Sequence, residues 1–129
     1  MKELSRLVGQ MEYDSIFAGL NPPPLVGGGT LAGLEATAIY KRGTVLAKSG
    51  QSSQLYILGS TAAEGDTLTP DCVLCEDTEI SANMPTPAAV YWGGCFNPDR
   101  LTVAEGYTLT EADKDKLRER GIILKAVAE

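Results

Sequence analysis

Glycines and prolines interrupt this chain so often that it is limited to short structural elements. Fourteen glycines and seven prolines are spread through 129 residues. Each proline removes a backbone hydrogen-bond donor, and each glycine weakens the interior of a helix or strand, so long helices are excluded over most of the chain. Short β-branched and aromatic runs recur between these residues, as in turn-rich β folds. The sequence therefore predicts a mainly β protein.

Size and charge restrict the class of protein and its partners. At 13.7 kDa the chain has the size of one domain. Its net charge is -6, and residues 49–98 contain six acids but no Lys or Arg. Because nucleic-acid binding requires clustered positive charge, we expect no direct nucleic-acid partner. There is no signal-peptide core near Met1 and no apolar run of about 18 residues, so we expect no membrane partner. Three cysteines are too few, and odd in number, for a disulfide framework, so we expect synthesis in a reducing cytosol.

Alternating and β-branched runs predict the strands of the domain. Thr44–Ala47 is typical of a strand, and the polar turn after it predicts a hairpin with Gln54–Leu58. The run with the most aromatic character is expected to form a central strand that bends at Gly93 and Gly94. Residues 77–87 are expected to be an acidic loop. The other predicted strands are 30–38 (weak, kinked at Gly33), 71–76, 88–96, 101–103 and 122–127.

One helix is predicted in the C-terminal half, over about residues 110–120. Thr110 and Asp113 have the spacing of a capping box, in which a hydroxyl and a carboxylate satisfy the first backbone donors. Gly121 suits the position that ends a helix. Residues 1–12 have apolar residues at helical spacing and predict a second, short helix.

Residues 1–29 are interpreted as an extended N-terminal arm, and residues 30–129 as the β-rich domain. Prolines 22–24 enforce an extended backbone, and Gly27–Gly29 would allow a sharp change of direction. A flexible linker would have this composition too. However, large apolar side chains on an irregular segment usually need a surface, either on the chain's own domain or on a partner.

Cysteines and acids raise the question of catalysis or metal binding. Cys72 and Cys75 form a CxxC motif, with Cys95 as a third thiol. Residues three apart on a strand face opposite sides, so the two sulfurs of the motif would diverge. The chain has no histidine, which removes Ser-His-Asp machinery and the commonest metal ligand. We therefore expect buried structural cysteines, no metal or other cofactor, and no enzymatic activity.

Several stretches, taken in order, carry a resemblance to a known family. They are Tyr13–Gly19 followed by prolines, Lys41–Leu46, Pro70–Asp77, and Ala89–Asn97 together with Leu117–Lys125. In this order they resemble the head decoration proteins of tailed phages, the family of the lambdoid capsid-stabilising protein D. The resemblance implies a compact, barrel- or tulip-like β domain. It also implies homotrimers on the outer surface of the expanded virion head, stabilising it against internal DNA pressure.

The resemblance also implies a set of contact residues. The implied partner is the major capsid protein, to which the arm would bind partly by adding backbone hydrogen bonds to a capsid strand. Tyr91 and Trp92 are either core residues or part of the trimer interface, since alternation shows only that they point opposite ways. The candidate capsid contacts of the arm are Tyr13, Ile16, Phe17, Leu20, Pro22, Pro23 and Leu25.

Two hypotheses from other classes stay open. One is a free-standing β-barrel module that binds a small ligand or glycan through the region of Tyr91 and Trp92, and such a module would be monomeric. The other is a metal or redox protein that depends on Cys72 and Cys75.

Overall fold

The computed structural model describes residues 16–19, 22–62 and 64–125. The predicted helix within residues 1–12 lies outside this part of the chain. No helix among the described residues has the length and apolar character needed to span a membrane. The elements in chain order are β1 (Phe17–Gly19), β2 (Leu25–Leu31), β3 (Ala38–Tyr40), β4 (Val45–Ser49), β5 (Leu55–Ile57), β6 (Leu68–Leu74), β7 (Thr78–Ile80), β8 (Thr86–Phe96), a 3-10 turn (Pro98–Arg100), α1 (Glu111–Glu119) and β9 (Ile122–Leu124).

Five of these strands close into a barrel, which confirms the mainly β fold class. The strand order is β8-β2-β5-β4-β6, and β6 returns to pair with β8. β4 and β5 form the predicted antiparallel hairpin, with Leu46 opposite Ile57. The core is built from β-branched and aliphatic side chains that alternate inward, as a half-buried sheet requires. The largest fully buried side chains include Phe96, Leu31, Leu46, Leu74, Ile80, Leu117 and Ile122.

β8 is the longest strand and belongs to two sheets. Its first half pairs with β2 and, at Val90 and Tyr91, with β6. Its second half lies between β1 and β9. The change of partners occurs at Gly93 and Gly94, where the sequence predicted a bend in a central strand. Gly94 has φ +145°, and a Cβ there would lie 2.9 Å from Phe96 Cε2.

The triple glycine is not a turn, and this prediction is wrong. Gly27, Gly28 and Gly29 lie inside β2 and pair with Val90, Ala89 and Ala88 of β8. Neighbouring side chains occupy the space that a side chain on Gly27 or Gly29 would need, whereas the space at Gly28 is open. A Cβ on Gly29 would lie 2.7 Å from Leu55 Cδ1. The segment predicted as an arm therefore contributes a strand to the barrel from Leu25 onward.

Three further predictions differ from the structure. The weak strand over residues 30–38 is absent, since β2 ends at Leu31 and β3 begins at Ala38. The predicted loop over residues 77–87 contains β7, which pairs with β3 in a separate two-stranded sheet. Residues 101–103 form no strand, and Thr102 makes only an isolated bridge with Thr44. Each difference depends on long-range pairing, which short apolar runs do not specify.

The helix prediction is confirmed in its bounds and its caps. The Thr110 hydroxyl accepts a hydrogen bond from the Asp113 backbone N–H (3.1 Å), and the Asp113 carboxylate accepts one from the Thr110 backbone N–H (3.0 Å). Gly121 follows the helix with φ +91°. Leu117 is the buried residue of α1, which packs against β6 and β9. The last predicted strand corresponds to β9.

Candidate interaction surfaces

The first described residues are part of the barrel's own packing. Ile16 is 7% exposed, and its carbonyl accepts a hydrogen bond from the Asn97 backbone N–H (2.7 Å). Phe17 is half-buried and begins β1 opposite Phe96. For these two residues the structure shows intramolecular packing. Tyr13 and Leu20 lie outside the described residues.

Phe17 belongs to an aromatic cluster with Tyr91 and Phe96. Its ring centroid lies 5.4 Å from that of Tyr91 and 5.3 Å from that of Phe96. The Arg42 guanidinium lies over two of these rings, 5.8 Å from the Phe17 centroid and 5.6 Å from the Tyr91 centroid. Its Nη2 also donates a hydrogen bond to the Tyr91 hydroxyl (2.9 Å). The cluster holds β1 against β8 through ring packing, cation–π contacts and a hydrogen bond.

The basic pair Lys41 and Arg42 is used within the chain. The Arg42 backbone N–H donates to Asp77 Oδ1 (2.8 Å), and Lys41 Nζ lies 3.6 Å from Asp77 Oδ2. This backbone hydrogen bond, aided by the charge of Lys41, lowers the pKa of Asp77 below its ordinary value. Lys41 itself stays exposed. The pair therefore joins the loop before β4 to the acidic segment before β7.

The beginning of β2 carries an exposed apolar surface. Pro23 is exposed and Pro22 is half-buried. Leu25 is 61% exposed and Val26 is 64% exposed, although both lie in a paired strand. We call Pro23, Leu25 and Val26 the β2 ledge. Val26 was not among the predicted contact residues, although it directly follows one of them in the sequence.

Tyr91 and Trp92 have opposite environments, which assigns Tyr91 to the core and Trp92 to the surface. Tyr91 is 6% exposed and belongs to the aromatic cluster, so it is a core residue. Trp92 is 52% exposed. Val26 pairs with Tyr91 and Leu25 pairs with Gly93, so Trp92 is the extra residue of a β-bulge.

The indole of Trp92 lies against Gly27 of the adjacent strand. A Cβ on Gly27 would lie 2.9–3.0 Å from the indole atoms Cδ2, Cε2 and Cε3. Nearly equal distances to three ring atoms mean that Gly27 faces the plane of the ring. One face of the indole is thus covered by β2, and half of the side chain stays accessible.

The thiols are placed for packing. Cys72 is buried in β6, and burial, with the nearby charge of Asp71, raises its pKa far above the ordinary value. A thiol held in this neutral form is a poor nucleophile and a poor metal ligand. Cys75 is half-buried and Cys95 is buried, and all three are free. Among the described residues, no group of three or more His, Cys, Asp or Glu side chains is arranged to hold a metal ion.

Comparison with known proteins identifies the family. A comparison with curated proteins gave no match. A protein-family model described as bacteriophage lambda head decoration protein D matches residues 26–122, which is well over half of the chain. The matched region runs from the start of β2 to the start of β9 and contains the whole barrel. The chain therefore belongs to the family of the bacteriophage lambda head decoration protein D.

Proposed function

We propose that this protein binds the outside of the expanded phage head as a homotrimer and stabilises the shell against the pressure of packaged DNA. The observation that carries the proposal is the family match over residues 26–122. Membership of a head decoration family supports a structural role on the capsid and a location at the phage head. The trimer, the outer surface, the major capsid protein as partner and the stabilisation are the finer parts of the proposal.

The β2 ledge and the chain before it are the proposed capsid contact. Ile16 and Phe17 are held by the barrel, so they anchor the segment instead of facing the shell. The exposed apolar side chains of Leu25 and Val26 then present a surface at a fixed position on the domain. The proposed contact set contains the predicted residues Tyr13, Leu20, Pro22, Pro23 and Leu25, together with Val26.

Trimer formation would strengthen binding to the capsid even if the contact made by each copy is small. Three weak contacts on one rigid particle can raise the overall avidity by about 10²–10⁴ without any better individual contact. A protein that binds the expanded shell and not the unexpanded one stabilises the expanded state by mass action. Both effects require only a modest interface on each copy.

The test is cosedimentation of the full chain with expanded and unexpanded heads, with the mass of the free protein measured by analytical ultracentrifugation. We expect binding to expanded heads only, and a trimer either free or bound. A variant lacking residues 1–15 keeps every described residue, and we expect it to bind more weakly. Equal binding to both head forms would contradict the proposed stabilisation, and full binding by the truncated variant would exclude Tyr13 from the contact set.

A further inference from the structure

At one end of the barrel the strands separate and leave a groove of about 480 Å³. The strand pairing explains its shape. β2 pairs with β8 over its full length but with β5 only at Leu31 opposite Leu55. β6 meets β8 at only two positions, Val73 and Leu74. The strands therefore diverge beyond these points, and the space between them is of the size that binds small ligands.

Backbone groups of β2 face this groove. The Ala32 N–H donates to the Leu55 carbonyl (2.8 Å), which shows the side of β2 that faces β5. Because backbone groups alternate along a strand, those of Thr30 and Gly28 point to the same side. The Leu31–Leu55 bridge uses the Ala32 N–H and the Thr30 carbonyl, and in the described part of the chain no strand pairs with the Thr30 N–H or with Gly28 on that side. Gly28 has no side chain, and nothing lies within 4 Å of the position that a Cβ would take, so a ligand can approach its backbone closely.

The accessible part of the Trp92 side chain forms one wall of the groove. The β-bulge moves this residue out of the normal pairing, and Gly27 supports the inner face of the ring. Bulges often direct a side chain towards a functional site. A flat, supported indole with one open face can bind the apolar face of a sugar ring by stacking. Trp92 is the only tryptophan in the chain.

Polar side chains lie on the opposite walls. Asp71 is only 16% exposed as a side chain, and its Oδ1 lies 2.6 Å from Arg120 Nη2. This ion pair fixes a carboxylate acceptor and leaves other guanidinium donors of Arg120 half-exposed. Lys48 and Ser53 add an ammonium group and a hydroxyl to the lining. The lining therefore offers both donors and acceptors in addition to an aromatic side chain.

From this arrangement we infer that the groove binds carbohydrate, with a sugar ring stacked on Trp92 and its hydroxyls bound by Asp71, Lys48 and the free edge of β2. Sugar hydroxyls both donate and accept hydrogen bonds, and the mixed lining offers both. A phosphate-rich polymer is disfavoured because the chain carries a net charge of -6 and the groove has an excess of only one positive side chain. The inference goes beyond the proposed function, since it gives the decorated head a ligand of its own.

Intrinsic fluorescence of the intact protein tests the inference, because Trp92 is the only indole. The probes are maltotriose and triacetylchitotriose. We expect a saturable change in emission with at least one of them, with a dissociation constant on the order of 1 mM. Calorimetry then measures binding by the Asp71→Asn variant, which we expect to be about tenfold weaker or more, because the acceptor loses its charge and one of its two acceptor oxygens becomes an amide donor. Asp115→Asn, an exposed change on α1, is the matched control and should bind like the wild type.

Three results would overturn the inference. The first is the absence of a saturable response to both sugars in the wild-type protein, when circular dichroism shows it to be folded. The second is an emission shift that depends on protein concentration alone, which would make Trp92 a contact between copies. The third is a saturable fluorescence response to an extended Thr-Val repeat peptide when neither sugar gives one. That result would make the free edge of β2 a strand-pairing site. Capsid binding by Asp71→Asn should stay at the wild-type level, so failure of this inference would leave the proposed function intact.

Discussion

Tyr91 and Trp92 are neighbours on β8, yet the first is 6% exposed and the second is 52% exposed. Tyr91 contacts one arginine, and Trp92 lines the same groove as another. Arg42 lies over the Tyr91 ring and binds its hydroxyl, whereas Arg120 lines the groove and pairs with Asp71. The Tyr91 side of the strand is covered by β1 and the aromatic cluster. The Trp92 side is open, because the bulge and the glycines of β2 leave the ring at the surface.

The comparison separates stability from interaction. Full burial of aromatic rings contributes several kcal/mol to folding, while a half-exposed ring contributes much less. An exposed tryptophan next to two exposed aliphatic residues on β2 contributes little to the monomer and is available for binding. The covered side should therefore control the free energy of unfolding, and the open side should control interactions.

The largest expected effect is on the covered side. Phe96→Ala removes a fully buried ring, and such changes cost about 3–5 kcal/mol because they also leave a cavity. Trp92→Ala on the open side should cost about 1 kcal/mol or less. Urea unfolding followed by circular dichroism measures both. Equal losses of unfolding free energy in the two variants would contradict the assignment of stability to the covered side.

The glycines of β2 offer a second comparison within one strand. Gly29→Ala places a Cβ 2.7 Å from the buried Leu55 side chain, so overpacking should cost about 1–3 kcal/mol. Gly28→Ala meets nothing within 4 Å and should be neutral or stabilise by about 0.4–1 kcal/mol, because the unfolded chain loses freedom. The urea midpoint of Gly29→Ala should therefore fall, while that of Gly28→Ala should stay unchanged or rise. A loss of stability in both would mean that the strand itself requires glycine.

A smaller effect is expected for the hydroxyl of Tyr91. Tyr91→Phe keeps the ring in the aromatic cluster but removes the hydrogen bond to Arg42, and should cost about 1 kcal/mol. Tyr56→Phe, a change at a half-buried tyrosine of β5, is the matched control and should cost about 0.5 kcal/mol or less. Thermal or urea unfolding checks both. If the control loses as much stability as Tyr91→Phe, the contact with Arg42 contributes nothing specific.

The smallest expected effect is a dependence on acid pH at Asp77. Its pKa is lowered by the Arg42 backbone N–H and by Lys41. The contribution of the Asp77 carboxylate to the free energy of unfolding is therefore fully present above the unfolded pKa of about 3.9. It is lost as the pH falls through the lower, folded pKa. The wild type should therefore lose more stability between pH 7 and pH 3 than Asp77→Asn does. Asp115→Asn should behave like the wild type, and an Asp77→Asn variant with the wild-type pH dependence would contradict the assignment.

The parts of the fold that were predictable from the sequence are those set by local signals. The capping box at Thr110 and the glycine at 121 set the helix bounds, and the hairpin of β4 and β5 followed from alternation around a polar turn. The triple glycine was misjudged because its strand depends on Trp92 and Leu55, which are distant in sequence and cover it. The short strand β7 depends in the same way on its pairing with β3.

The environments of the candidate contact residues were only partly predictable, for the same reason. Apolar character alone placed Ile16 and Phe17 with Leu25 as contact residues, but two of them are packed on the barrel. Alternation predicted that Tyr91 and Trp92 face opposite ways, without showing which one is buried. The bulge that exposes Trp92 is a property of the register between β2 and β8. No local signal in the sequence specifies that register.

The central claim is that the exposed start of β2 binds the shell while the covered side of β8 holds the fold. Cosedimentation of the Leu25→Ser/Val26→Ser double variant with expanded heads tests it most directly. An Ile39→Ser/Met84→Ser variant, which changes two equally exposed apolar residues elsewhere (58% and 60%), is the matched control. We predict that the first variant keeps its free energy of unfolding within about 1 kcal/mol of the wild type but loses most head binding, while the control binds normally. Wild-type binding by the first variant would contradict the claim.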